Sequence, residues 1–243
     1  ILWIPRSRVE TAKLLDLSEK DFKNRLIESK KKVYKLRESR IPPIKDEKVI
    51  LVGNALMITA LSEIFQLTRD EKYLEMATKA MHFLLENMKD KEGNFLRIYC
   101  DGRTHIRAFL EDYAALAEAL VSLYEIGAGD FYLKQALICA EKMLDQFFDK
   151  KKKCFVRNGL ERGEIFFDYQ EGSDSYFPSA NALAARILLK LSYHYERDDF
   201  RMQAEEAISV YGEQIKEDPQ MFCSSVSVIE KFSSVPMKIL FTG

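Results

Sequence analysis

One stretch near the middle of the chain decides the fold: Phe109-Leu110-Glu111-Asp112-Tyr113-Ala114-Ala115-Leu116. Its acidic and aromatic start is followed by an almost wholly apolar run, which is typical of a helix buried on most sides. The two carboxylates lie in the first turn, where the helix dipole favours negative charge. The stretch therefore predicts the start of a buried helix in an all-α fold.

This helix opens the middle of three helical hairpins that resemble one another in sequence. We expect the hairpins at about residues 53–88, 111–148 and 179–216. Each second helix has an aromatic residue followed four positions later by alanine: Tyr73 and Ala77, Tyr132 and Ala136, Phe200 and Ala204. Small residues at such positions let two helices approach closely. Recurrence at this period predicts an array of helical hairpins.

Further elements are expected on both sides of the hairpins. Ser18 is a good N-cap and predicts a flanking helix at about residues 18–40. A last helix is expected at about residues 219–232, followed by a strand-like segment at 236–243. Because the chain begins with Ile1 rather than methionine, we interpret it as a fragment.

Composition argues against several functional classes. The chain of 243 residues is 47% hydrophobic and 31% charged, with 10 Gly and 6 Pro, which is typical of a helix-rich globular protein. The net charge of -1 predicts neither a nucleic-acid partner nor a membrane partner. We find no signal-peptide pattern and no apolar run judged long enough to span a membrane. Four cysteines without metal-ligand spacing favour reduced thiols, a cytoplasmic location, and neither a metal nor a cofactor.

A polar residue recurs at one register position of the three hairpins. When the copies are aligned, Tyr113 matches Asn54 and Asn181. Amides and a phenol can bind a neutral polyol, and helix N-termini offer free N–H groups to its oxygens. We therefore expect a shared ligand site that includes Ser179. The alternative is that the two asparagines satisfy loop backbone and Ser179 is only an N-cap.

Glu111 and Asp112 invite an acid–base interpretation. Adjacent helical residues point about 100° apart, so the two carboxylates cannot serve one bond together. Capping of the helix is the alternative role for both. If one of them is catalytic, we favour Asp112, which lies next to the shared polar position. Asp174 or Asp168, both in predicted loops, is the candidate partner carboxylate.

Three cationic or titratable side chains complete the candidate set. His105 is the histidine expected near a cavity mouth, and it is our second candidate catalytic residue. Arg97 and Arg157 each end a short extended segment after a second helix. They are expected either to clamp an anion or sugar acid, or to pair with the helix that carries Glu111 and Asp112.

Several motifs support a family assignment: Arg40-Ile41-Pro42-Pro43, Asp46-Glu47-Lys48, Asn54-Ala55-Leu56-Met57-Ile58, Leu110-Glu111-Asp112-Tyr113-Ala114, and Asp174 with Pro178-Ser179-Ala180-Asn181. They resemble the C-terminal part of the spermatogenesis-associated protein 20-like family. Its members carry a thioredoxin-like domain followed by a six-hairpin toroid akin to N-acylglucosamine 2-epimerases. The resemblance implies that residues 1–243 form a partial (α/α) toroid, six-hairpin glycosidase-like, with short β-hairpin pieces in its loops. The thioredoxin-like domain is absent from this sequence.

The resemblance also implies a substrate site at the inner-helix ends, with Asn54, Glu111, Tyr113, Ser179 and Asn181. To this candidate substrate-binding set we add Arg97, Arg157 and Asp174. The family usually has Trp-Asn-Gly where this chain has Gly53-Asn54-Ala55, so a stacking surface for a sugar ring is missing. Two functions follow from this set. The first is a carbohydrate-binding domain, catalytic if Asp112 or His105 acts on the ligand as in an isomerase, epimerase or glycosidase-like enzyme. The second is a non-catalytic helical scaffold that packs on the thioredoxin-like domain or on another protein.

Overall fold

The computed structural model describes residues 5–159 and 172–234. The chain divides into two compact units, Ile1–Glu47 and Lys48–Gly243. The inference that one toroid domain runs from residue 1 to residue 243 stays a prediction. The strand-like segment expected at 236–243 and the candidate carboxylate Asp168 lie outside the described residues.

The described part of the first unit contains two helices, α1 (Arg8–Leu14) and α2 (Glu19–Glu38). Ser18 caps α2, because its side chain accepts the N–H of Asp21 at 3.1 Å. This is the cap expected from the sequence. Helix α1 was not predicted, because seven residues with one buried side chain give no readable periodicity.

The described residues of the second unit form three helical hairpins. The pairs are α3 (Leu51–Thr68) with α4 (Glu71–Asn87), α5 (Leu110–Glu125) with α6 (Asp130–Phe147), and α7 (Ala180–Tyr195) with α8 (Asp198–Ser209). Two shorter helices follow, α9 (Gly212–Glu217) and α10 (Cys223–Ser233), with a 3₁₀ turn at Pro219–Phe222 between them. The third hairpin was expected to continue to residue 216 without a break. It ends earlier, beside Gly212, a residue type that disfavours helix interiors.

Helix α5 is the centre of this unit. Every residue from Leu110 to Leu123 is buried, and α5 packs against α3, α6 and α7. Helices α3, α5 and α7 are therefore inner helices, and α4, α6 and α8 pack outside them. The alanines of the repeated pattern, Ala77, Ala136 and Ala204, are all completely buried. Their small side chains allow the outer helices to approach the inner ones closely.

Short strands lie at the ends of the hairpins. Among the described residues, β1 (Val49–Ile50), β2 (Leu96–Cys100) and β3 (Arg103–Arg107) form an antiparallel sheet. Strands β4 (Phe148–Asp149) and β5 (Cys154–Phe155) form a second antiparallel pair. Strand β1 runs directly into α3, and β3 leads into α5. The sheets therefore place the extended segments beside the starts of the inner helices.

Helix α3 is long and apolar enough to cross a membrane by length and composition alone. This differs from the sequence analysis, which recognised no such segment. The helix packs against α4 and α5, and its buried residues include Leu51, Ile58 and Phe65. Its apolar composition is also that of an inner helix that protein encloses.

The close contact of α5 with α6 gives a test of the packing. Ala136→Leu adds three carbon atoms where no space is open, so we expect the free energy of unfolding to fall by about 1–3 kcal/mol. Lys134→Leu places the same side chain on the exposed side of α6 and should change stability by less than about 0.5 kcal/mol. Urea denaturation measures both variants. Equal stability of Ala136→Leu and the wild type would contradict the packing.

Candidate functional site

Asp112, in the first turn of α5, is completely buried and joins three segments. Its Oδ1 accepts the N–H of Val52 at 3.1 Å, at the start of α3. Its Oδ2 accepts the N–H of Phe109 at 2.9 Å and lies 2.7 Å from Nη1 of Arg97. The carboxylate therefore caps two inner helices and holds strand β2 against them. In this position Asp112 orients the helices and has no surface open to a ligand.

The environment of Asp112 acts on its protonation in two directions. Burial raises the pKa of this carboxyl to about 6, while the Arg97 cation and the N–H of Phe109 act to lower it. The neighbouring Glu111 adds to the increase. Loss of hydration is thus the dominant effect on the charged form.

Glu111 lies between two guanidinium groups. Its Oε1 is 3.1 Å from Nη1 of Arg97 and 3.0 Å from Nη2 of Arg157. The guanidinium carbons of the two arginines lie 4.9 and 5.8 Å from the ring centroid of Phe109, within cation–π range. The ion cluster of Arg97, Glu111, Asp112 and Arg157 contains two positive and two negative side chains. Of the two roles considered for the arginines, the geometry favours pairing with the α5 carboxylates.

The shared polar position has a backbone partner in two of the hairpins. Tyr113 is buried, and its Oη accepts the N–H of Phe95 at 3.1 Å. Asn181 is buried as well; its Oδ1 accepts the N–H of Phe155 at 3.0 Å, and its Nδ2 donates to the same residue's carbonyl at 3.3 Å. Phe95 and Phe155 are equivalent residues of the repeated extended segments. The two side chains therefore satisfy loop backbone, which is the alternative given above.

Asn54, the third member of this set, is partly exposed. Its Nδ2 donates to the carbonyl of Ile50 at 2.9 Å, one turn earlier. Because Tyr113 and Asn181 are buried, the three residues do not form a common exposed site. The sequence reveals that a polar residue recurs, but it does not reveal the direction in which that residue points.

A small cavity of ≈ 70 Å³ opens beside the ion cluster, between the starts of α5 and α7. We call it the helix-end cavity. Its polar and aromatic lining comprises Glu111, Arg157, Ser173, Ser175, Phe177, Ser179 and Asn181. Phe177 is 49% exposed, so its ring offers an accessible surface at this cavity. This volume is below the roughly 300–1,000 Å³ typical of ligand pockets.

Asp174 and Ser179 organise the loop that precedes α7. Asp174 Oδ1 accepts the N–H of Ser179 at 2.8 Å, and its Oδ2 accepts the N–H of Ser224, in α10, at 2.8 Å. Ser179 caps α7, because its Oγ accepts the N–H of Ala182 at 3.4 Å. Asp174 therefore connects the starts of two helices. Ser179 is both an N-cap and part of the helix-end cavity wall.

His105 does not line the helix-end cavity. It is exposed on β3, opposite Ile98 in the sheet register. It lines a different cavity, on the face of the three-stranded sheet. The sequence predicted His105 near the mouth of a shared cavity. In the structure it lies apart from the ion cluster, in a different cavity.

Ion pairs between α5 and α7 were missed in the sequence analysis. Buried Glu118 lies 3.2 Å from Nε of Arg186 and 3.1 Å from Nζ of Lys190. Lys190 also lies 3.2 Å from Glu125, and these two carboxylates outweigh burial and raise the pKa of Lys190. The signal was available, since Glu111, Glu118 and Glu125 are spaced by seven residues along one helix. No group of metal-ligating side chains is assembled within residues 5–159 and 172–234.

The buried carboxyl of Asp112 predicts a specific pH dependence of stability. Its pKa in the folded chain, about 6, lies above the usual value of 3.8 for an aspartate, so protonation favours the folded state. This contribution is present below about pH 4 and is lost as the pH rises through about 6. Relative to Asp112→Asn, the free energy of unfolding of the wild type should fall by about 3 kcal/mol over this range.

Urea denaturation at pH 4 to 7 measures this difference. Asp145→Asn, an exposed change on α6, serves as the control for the loss of a carboxylate. A difference between wild type and Asp112→Asn that rises with pH would show instead that the hydrogen bonds to Asp112 outweigh its burial.

Removal of the Tyr113 hydroxyl tests how much its hydrogen bond to the Phe95 backbone stabilises the fold. Tyr113→Phe leaves the N–H of Phe95 buried without this acceptor, so we expect a loss of about 1–3 kcal/mol in the free energy of unfolding. Tyr124→Phe, on the same helix and partly exposed, should change it by less than about 0.5 kcal/mol. Thermal and urea denaturation compare the two. Equal effects would show that the bond to Phe95 contributes nothing measurable.

Comparison with known sequences places the chain beside longer proteins. No family model matches it. It is 28% identical over 211 residues to an uncharacterised protein of Caenorhabditis elegans, covering 84% of this chain and 29% of that protein. It is 23% identical to spermatogenesis-associated protein 20 of Mus musculus and 22% identical to that of Homo sapiens, over 222 residues and 87% of this chain in both cases. The chain spans less than a third of the length of these relatives.

Comparison with solved structures identifies the fold. A cellobiose 2-epimerase from Bacillus thermoamylovorans B4167 matches with a TM-score of 0.59 at 15% identity, over 72% of this chain and 47% of that one. A D-mannose isomerase matches with a TM-score of 0.57 at 12% identity, over 67% and 40%. A family 105 glycoside hydrolase from C. acetobutylicum ATCC 824 matches with a TM-score of 0.55 at 18% identity, over 86% and 61%. The chain therefore resembles spermatogenesis-associated protein 20 over most of its own length, and its described hairpins share the (α/α) toroid fold of these sugar isomerases, epimerases and glycoside hydrolases.

Proposed function

We propose that this domain binds a carbohydrate-type ligand at the helix-end cavity. The observation that carries the proposal is the presence of a carboxylate, a guanidinium group, serine hydroxyls and an exposed aromatic ring in one cavity wall. Glu111 and Arg157 are the charged contacts, and Phe177 is the stacking surface. Of the residues inferred from the sequence, Glu111, Arg157, Ser179 and Asn181 line this cavity.

The chemistry of this wall suits a ligand rich in hydroxyl groups. A sugar hydroxyl can donate to Glu111 and accept from Arg157, while serine hydroxyls can do either. An aromatic ring offers an apolar face to the C–H side of a sugar, and Phe177 provides such a ring. This chain has Gly53 where the family usually has a tryptophan. In the proposed site, Phe177 supplies an aromatic surface from a different loop.

Binding, rather than catalysis, is the function proposed for these residues. Asp112 is buried and bonded to two backbone N–H groups, so it lacks contact with a ligand. His105 lines another cavity and cannot exchange a proton with a sugar held by Glu111. A catalytic role for either residue is therefore not part of the proposal. Glu111, with two guanidinium partners, is arranged as an acceptor of hydroxyl hydrogen bonds.

The structural neighbours support the ligand class. The proteins named above are an epimerase of cellobiose, an isomerase of D-mannose and a glycoside hydrolase. All three are named for sugar chemistry, although their low identity shows only a shared fold. Because a fold hosts many functions, the cavity residues and not the fold carry the proposal.

A helical scaffold is the second candidate function, and one surface favours it. The outward side of α3 carries Met57, Ile64 and Leu67, which are 59%, 38% and 85% exposed. Such an apolar stripe suits contact with protein. We propose for this case that the stripe packs on the thioredoxin-like domain that the family carries. The cytoplasmic location, inferred from cysteine usage, stays a prediction.

Calorimetric titration with neutral sugars, amino sugars and sugar acids tests the carbohydrate proposal. We expect saturable binding of at least one sugar, weakened about tenfold, or 1.4 kcal/mol, in Phe177→Ala because the stacking surface is lost. Tyr176→Ala is the matched control, since Tyr176 is the adjacent residue, is 100% exposed and is not part of the cavity wall. Its affinity should change less than twofold.

A second variant tests the polar contacts. Glu111→Gln keeps the shape of the side chain and removes its charge. It should weaken binding of the same sugar, whereas the control Tyr176→Ala should not. Absence of saturable binding in a chain that melts cooperatively would contradict the proposal and favour the scaffold. Equal weakening by Phe177→Ala and Tyr176→Ala would place the ligand elsewhere.

A further inference from the structure

One face of the three-stranded sheet gathers cationic side chains. In the register of the sheet, Ile98 lies opposite Ile50 on one side and His105 on the other, and Cys100 lies opposite Arg103. Residues directly opposite in a sheet share a face, and alternate residues of one strand do as well. Ile98, Cys100, Arg103 and His105 therefore lie on one face. Arg97, one residue before Ile98, falls on the other face, where it joins the ion cluster.

A cavity of ≈ 480 Å³ lies on this face, and we call it the sheet cavity. Its lining is formed by Lys48, Ile98, Cys100, Asp101, Arg103 and His105. The volume is within the range of small-molecule sites. The lining contains two cations, Lys48 and Arg103, and a histidine, against one carboxylate. The cavity is thus locally positive in a chain whose net charge is -1.

The hairpin turn holds these side chains in place. Asp101 and Gly102 connect β2 to β3 with φ values of 50° and 72°. Positive φ at both central residues is typical of the type I′ turn, whose twist matches that of the strands. The pairing of Cys100 with Arg103 directly beside the turn fixes the position of the arginine. Arg103 and His105 therefore lie on a short hairpin, and Lys48 reaches the cavity from the residue before β1.

The backbone after His105 is strained. Ile106 has a φ of 63°, in the left-handed region, and its side chain is 52% exposed. This conformation is rare for a β-branched residue, and strain of this kind is concentrated at functional sites. It also interrupts the ladder, since Ile106 and the opposing Arg97 are missing from the sequence of paired residues. The distortion lies at the edge of the sheet cavity and supports a functional role for it.

We propose that the sheet cavity binds a small oxyanion ligand, the phosphate or pyrophosphate group of a small molecule, through Lys48, Arg103 and His105. Guanidinium groups bind phosphate oxygens in a bidentate manner, and a lysine ammonium adds a point charge. Ile98 and Cys100 supply an apolar floor for the remainder of the molecule. A concave site lined by side chains of both charge signs suits a small ligand rather than a membrane surface. This proposal does not depend on carbohydrate binding at the helix-end cavity.

Calorimetric titration with inorganic phosphate and pyrophosphate, at constant ionic strength, tests the proposal. We expect saturable binding with one site per chain, tighter for pyrophosphate because it carries more charge. Arg103→Ala combined with His105→Ala should weaken the affinity at least tenfold. The matched control is Lys150→Ala with Lys151→Ala, which removes charge from an exposed turn outside the cavity. It should change the affinity less than twofold.

Three outcomes would overturn the proposal. The first is the absence of saturable binding to a wild type that melts cooperatively. The second is an equal loss of affinity in both double variants, which would indicate nonspecific attraction. The third is co-sedimentation with phosphatidylserine vesicles, lost in the Arg103/His105 variant, without binding of either free anion. Circular dichroism melts confirm that the variants fold, and sugar titrations, which should not change in the Arg103/His105 variant, separate the two cavities.

Discussion

Two inner helices and a strand meet at the carboxylate of Asp112. It accepts the N–H of Val52 at the start of α3 and that of Phe109, the residue before α5, and it holds Arg97 of β2 at 2.7 Å. The same guanidinium reaches Glu111, and Glu111 in turn holds Arg157. The polar walls of the helix-end cavity therefore depend on a residue that has no contact with the cavity. Donors from three segments oppose the desolvation of Asp112 but do not outweigh it, so the pKa of this carboxyl stays raised.

Ion pairs distinguish the contact of α5 with α7 from its contact with α3. Of the glutamates at heptad spacing along α5, buried Glu118 pairs with Arg186 and Lys190 of α7, and Glu125 also pairs with Lys190. Buried ion pairs lose much of their attraction to desolvation, and their clearest effect is to favour one arrangement over others. On α3 the positions equivalent to these glutamates are uncharged. The apolar contacts thus hold the helices together, and the ion pairs favour the packing of α7 against α5 in one register.

The fold could be predicted from the sequence because it depends on local and repeated signals. Helical periodicity, the aromatic–alanine pairs and the N-cap residues all report short-range geometry, and the hairpins lie where these signals placed them. The site was harder to predict, since Tyr113 and Asn181 find partners 18 and 26 residues away. A recurring polar residue has the same appearance whether it faces a ligand or a buried N–H. The break before Gly212 and the short helix α1 were missed because few residues carried the signal.

The shared polar position fulfils one task with two chemistries. Tyr113 accepts the Phe95 N–H with its phenol oxygen, whereas Asn181 both accepts from and donates to the Phe155 backbone through a shorter amide. The two hairpins therefore join the helix start to the extended segment through side chains of different length and chemistry. As building blocks the hairpins are similar in outline but not interchangeable. Duplication of such a unit yields a working neighbour only after the helix start and its extended segment have diverged together.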